Sequence, residues 1–187
     1  TWATGGATVT VDSSSGYKIT VPAKSTADTI NVVATATLNT PTIKVATQKD
    51  PSGISSGTTY ISGGESTITV TTNYTSLPSG ATVTFETSGG STIGTFTGNT
   101  LTVNTSALTA GNSTNYCVKV SDGTTTKTTD NVKIVKYNLA QISLADIDHA
   151  TVTVSYKDAY DQTQTLAEGA GPVYARTVAS TINVSQT

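Results

Sequence analysis

The sequence predicts an all-β protein made of two antiparallel β-sandwich domains, and three of its features lead there. Apolar residues alternate with Thr, Ser or Lys over many short stretches, the period of a strand with one face in a core and one in water. No segment carries an apolar stripe at i, i+3, i+4 and i+7, so helices are at most short. Turn residues punctuate the alternation at Ser13-Ser14-Ser15-Gly16, Pro51-Ser52-Gly53, Gly63-Gly64, Pro78-Ser79-Gly80, Gly89-Gly90 and Ser121-Asp122-Gly123. Short strands separated by such turns read as sandwiches.

Composition narrows the function classes. Charged residues make up 12% of the 187, the net charge is −2, and Ser and Thr supply about a third of the chain. That balance leaves no basic footprint for nucleic acid or anionic lipid, so neither partner is expected. No run of about 18 apolar residues is present to insert as a transmembrane helix. A start with a charged segment, an apolar run and a small-residue cleavage site is also missing, so any signal peptide is expected to have been removed. The single Cys cannot form an internal disulfide.

Taken in order, the elements begin with Ala7-Thr8-Val9-Thr10-Val11 and Tyr17-Lys18-Ile19-Thr20-Val21, both strictly alternating. The clearest unit is 41–138, with strands predicted at 42–47, 58–61, 66–73, 81–87, 92–97, 100–104, 114–121 and 131–137. Ile43 and Val45, Val83 and Phe85, and Val132 and Ile134 should face its core, which turns Lys44 and Glu86 outward. Beyond it, strands are predicted at 141–144, 151–157, 162–167 and 178–184, with 156–162 as a hairpin loop. Neither flank is long enough to bury a core alone. The expected organisation is therefore an amino-terminal arm at 1–12, a first sandwich made of 13–40 together with 139–187, and 41–138 inserted between them. Two domains in series are the alternative.

The stretch from Leu108 through Tyr116-Cys117-Val118-Lys119-Val120 to Asp122-Gly123 resembles the penultimate strand and turn of immunoglobulin-like and polycystic-kidney-disease-type extracellular domains. The resemblance covers about sixteen residues and implies a fold only: immunoglobulin-like sandwiches. It departs from antibody domains at Cys117, which lies on the opposite face from Tyr116, Val118 and Val120 and has no partner.

Signals for chemistry are sparse. His149, the one imidazole, has no Gly-x-Ser-x-Gly elbow to partner it and reads as a solvated residue at a strand start. Asp146, Asp148, Asp158 and Asp161 gather oxygen ligands, but no calcium loop frames them, so they read as turn caps. Cys117 has no nearby imidazole to activate it. Lys44, Glu86 and Asn131 invite comparison with Lys–Asn crosslinks beside a buried acid, and strand parity argues against it. No catalytic residue, cofactor or metal is expected.

Both ends of the chain read as strands. The single Trp stands at position 2, ahead of the alternation of Ala7, Val9 and Val11, as a β-strand added to a neighbouring sheet would require. Asn73, Asn104, Asn112 and Asn183 each begin an Asn-x-Ser/Thr sequon, with Asn112, in a Gly-Asn-Ser-Thr turn, and Asn73 as the best-placed acceptors. Low charge, no Met and one Cys fit an acidic or oxidising exterior. Together these features resemble the subunits of archaeal thread filaments. That resemblance implies a glycosylated extracellular, cell-surface polymer, joined head to tail by donor-strand complementation between identical subunits and used in adhesion or biofilm contact. It would make Trp2, Ala7, Val9 and Val11 the donated strand and the four sequons sites of N-linked glycans. The alternative is a carbohydrate- or surface-binding immunoglobulin-like module of a larger secreted protein.

Overall fold

The computed structural model describes residues 38–77, 80–148, 151–177 and 183–186. They are all-β, with one turn of 3-10 helix at Thr105–Ala107 among them. Nine strands occupy the middle of the chain: β1 (Lys44–Ala46), β2 (Gly57–Tyr60), β3 (Thr67–Thr71), β4 (Thr82–Thr87), β5 (Thr92–Thr95), β6 (Thr100–Asn104), β7 (Asn112–Ser121), β8 (Thr126–Thr128) and β9 (Val132–Lys136). One sheet has the order β1-β3-β6; the other has β2-β9-β7-β4-β5, with β8 also on β7. All these pairings are antiparallel except β2 on β9, where Gly57 to Tyr60 run parallel to Val132 to Val135.

The period-two pattern drives this sandwich. Ile43, Val45, Ile68, Val70 and Val103 from the first sheet share one core with Val83, Phe85, Tyr116, Val118, Val120, Val132 and Ile134 from the second. Each is at most 4% exposed, and the intervening Thr residues point outward. The rings of Phe85 and Tyr116 stack with centroids 5.2 Å apart, an arrangement that adds to their area burial. The core-facing parity of these residues is as the sequence predicts.

Five further strands follow: β10 (Leu139–Ile142), β11 (Val152–Lys157), β12 (Thr163–Ala167), β13 (Val173–Arg176) and β14 (Asn183–Gln186). They form a two-stranded sheet, β10-β13, and a three-stranded sheet, β12-β11-β14. Their buried apolar residues are few among those described: Val152, Val154, Ala159, Leu166 and Ala175. Leu139, Ile142, Leu144 and Val173 remain half-buried, and Ile147 is 43% exposed.

Three strands differ from the sequence reading. β13 has no counterpart among the expected strands: its four residues, Val173–Arg176, follow directly on Gly171-Pro172 and pair with β10. Of the strand expected at 178–184, residues 178–182 lie outside the described residues; the described part, Asn183–Gln186, is a strand paired with β11 and runs two residues past 184. β8 is a separate short strand, because at Thr129 the chain leaves the regular ladder: the Thr129 hydroxyl accepts the Val118 amide at 3.0 Å while its own amide donates to Val118 oxygen. Residues 1–37, the expected arm and most of the amino-terminal piece of the expected split sandwich, lie outside the described residues.

Candidate contact and glycosylation sites

Of the residues expected to act, Trp2, Ala7, Val9 and Val11 lie outside the described residues, as does His149. The sequons do not fall in equivalent surroundings. Asn73 is exposed but its amide is engaged: Oδ1 accepts the Thr42 amide at 2.9 Å, and Nδ2 donates to Thr40 oxygen at 3.2 Å. It pins the chain entering β1 to the end of β3. Asn104 ends β6 in the open, at the N-cap position of the 3-10 turn, with no side-chain cap bond. Asn112 does not sit in a turn; it is the first residue of β7, in register with Lys136. Asn183 likewise opens β14, in register with Ser155. Of Asn73 and Asn104, Asn104 is thus the more accessible acceptor, because the Asn73 amide already has hydrogen-bond partners.

Glu86 corrects the outward reading in one respect. Parity holds, because Glu86 lies in register with Cys117, on the face away from the core. Yet Glu86 is 4% exposed. A register irregularity between Phe85 and Glu86 interrupts the β4–β5 ladder beside it. Lys119 Nζ lies 2.9 Å from both carboxylate oxygens, and the hydroxyls of Thr84 and Thr92 donate to Oε1 at 2.7 and 3.3 Å. Burial pushes the carboxyl up, but the hydrogen bonds from Lys119 and Thr84, the Lys119 charge and the Thr92 bond outweigh it. The net result is a Glu86 that ionises below the ordinary range. Beside it the Cys117 thiol is pushed up, first by burial and then by the Glu86 charge, with Lys119 offsetting only part.

Of the four aspartates expected as turn caps, Asp158 acts as one. Asp158 Oδ1 accepts the amides of Tyr160 and Gln162 at 2.8 and 2.9 Å, and Oδ2 accepts Gln164 Nε2 at 3.0 Å. This is an Asx-type cap on the β11–β12 hairpin. Asp161 ion-pairs with Arg176, while Asp146 and Asp148 are exposed. No group of three or more His, Cys, Asp or Glu among the described residues could hold a metal ion.

A constellation the sequence reading missed joins the two parts of the described chain. The Tyr160 hydroxyl lies 2.6 Å from Ser62 Oγ, its ring meets Tyr60 edge-on with centroids 6.1 Å apart, and Lys49 Nζ stands 4.8 Å above it. Tyr174 covers the Gly63-Gly64 turn so closely that a Cβ on Gly63 would lie 2.2 Å from its Cγ. The Arg176 guanidinium sits 3.6 Å from the Tyr137 ring centroid. Underneath, the Glu65 carboxylate takes the amides of Gln48 and Ser62 at 2.7 and 2.8 Å and fixes this turn. The Gly-Gly pair and the Tyr-bearing hairpin loop were legible as separate features, but nothing local says that they meet. Tyr60, Tyr137, Tyr160 and Tyr174 thereby each contact other parts of the protein.

A comparison of the chain with protein-family models, with curated proteins and with solved structures finds no match.

Proposed function

We propose that the chain is a structural subunit of an extracellular filament that polymerises by β-strand addition and serves surface adhesion or biofilm contact. On this reading its partners are identical subunits and N-linked glycans, and its role is not catalytic. The observation that carries it is the shortfall of core in the carboxyl-terminal strands. Residues 139–177 bury five apolar side chains among those described and leave Leu139, Ile142, Leu144 and Val173 half-covered. Among the described residues no strand pairs with the outer edge of β12. A small two-sheet unit gains stability from a further strand that covers apolar surface and satisfies an edge. The amino-terminal ribbon of Trp2, Ala7, Val9 and Val11 has the required alternation, and burying each Val would contribute about 1.5–3 kcal/mol. A contact of that kind is heterologous and need not close, so it propagates.

The order of the first sandwich supports the immunoglobulin-like part of the reading. β1, β3 and β6 oppose β4, β7 and β9, with the chain crossing between sheets as in a Greek key. The Thr- and Ser-rich exterior supports a surface that stays hydrated with little charge.

Removing residues 1–11 tests the proposal. Electron microscopy and size-exclusion chromatography of the purified full chain should show fibres or a polymer ladder. The truncated chain should remain monomeric with an unchanged β-type circular dichroism spectrum. Fibres that persist without the ribbon, or a full chain that never assembles at any concentration, would refute it.

A further inference from the structure

We infer that the β11–β12 hairpin loop and β13 form a clasp on the first sandwich, coupling 139–177 to 38–136 as one cooperative folding unit. Within 38–136 the contacts fall at Lys49 and along Tyr60 to Gly63, far in sequence from the connecting residues Tyr137 and Asn138, which are gripped as well. The hairpin loop contributes Tyr160, which takes up Ser62, Tyr60 and Lys49 together. β13 contributes Tyr174, seated on Gly63, and Arg176, which holds the Tyr137 ring and ties back to Asp161 of the same loop. Behind β13, the Thr177 amide donates to Asn138 oxygen at 2.9 Å and closes the connection between the two parts.

The chemistry explains why the clasp is specific. Gly63 has an ordinary backbone angle, so its lack of a side chain serves the approach of Tyr174 and not a left-handed turn. Glu65, 7% exposed, holds the receiving turn rigid from below through two backbone amides. Asp158 holds the donating loop rigid through two others. Two preorganised loops then meet through one short hydroxyl–hydroxyl bond and ring contacts, so little ordering cost remains at the seam. The weakly cored β10–β14 strands, left to themselves, would open at low free energy. The clasp ties their opening to that of the sixteen-residue core of the first sandwich. This inference does not rest on the filament reading.

Native-state hydrogen exchange on the full-length chain tests it. In the wild type, the slowest amides of β11 and β7 should exchange through the same global opening, with matching protection and denaturant dependence. In Gly63→Ala combined with Tyr160→Phe, the first change displaces the Tyr174 ring and the second removes only the hydroxyl. The β11 amides should then exchange about tenfold faster, the equivalent of one or two net hydrogen-bond-sized contacts, with β7 unchanged. Equal acceleration of β7 and β11, or no change in either, would overturn the clasp. So would wild-type β11 amides that already open independently of β7, a result that needs no variant to fold.

Discussion

Replacing Glu86 with Gln should remove a pH-dependent part of the stability, and the structure gives its size and sign. The carboxylate is 4% exposed and accepts Lys119 on both oxygens, together with Thr84 and Thr92. Gln keeps the shape and one acceptor but turns an NH₂ donor toward a Lys ammonium that can only donate. Because the Lys119 side chain is 35% exposed, it can swing to solvent, which holds the loss below the 3–5 kcal/mol of a fully buried pair. Losing charge-assisted hydrogen bonds to a buried carboxylate should then cost about 2 kcal/mol near neutral pH. Glu86 ionises below its ordinary range in the folded chain. Its contribution is therefore complete above the unfolded value of about 4.3 and fades as pH falls through the lower folded value. Urea unfolding, followed by far-ultraviolet circular dichroism from about pH 7 down to about pH 2, reads this directly. The gap between wild type and Glu86→Gln should be widest at neutral pH and should narrow in acid. A gap that stays constant with pH, or a wild type that gains stability relative to the variant as pH falls, would refute the assignment of a charged, stabilising Glu86.

Phe85 has no exposed surface and stacks on Tyr116, so Phe85→Ala should cost about 3–5 kcal/mol in the same unfolding measurement. Cys117 should alkylate far more slowly with iodoacetamide than an unfolded-peptide thiol. Glu86→Gln should speed it at fixed pH, because the carboxylate that raises the thiol is gone while Lys119 remains. In a host that transfers N-linked glycans, peptide mass spectrometry should find higher occupancy at Asn104 than at Asn73, whose amide is tied to Thr40 and Thr42. Asn73→Ala should be destabilising by about 1 kcal/mol even in unglycosylated protein, since it strips the Thr42 amide of its acceptor.

What could be read from sequence alone was the alternation and its consequences. Ile68-Thr69-Val70 and Val83-Thr84-Phe85 specify strands, and which side chain of each faces inward, because the side-chain period of a strand is two whatever it pairs with. The turn residues placed most strand ends within a few positions, since glycine and proline act through their own backbone. Partnership was a different matter. The parallel pairing of β2 with β9 joins residues about 75 positions apart and depends on the whole sandwich closing, which no local preference encodes. Burial of Glu86 on a face that parity turns to solvent arises from Lys119, 33 positions away, and from the hydroxyls of Thr84 and Thr92. The engagement of Asn73 by the chain at Thr40 and Thr42, and the meeting of Tyr160 with Ser62 across 98 positions, were settled only in three dimensions. Local geometry determines which face a residue presents; what covers that face is a contact between distant segments, decided by packing.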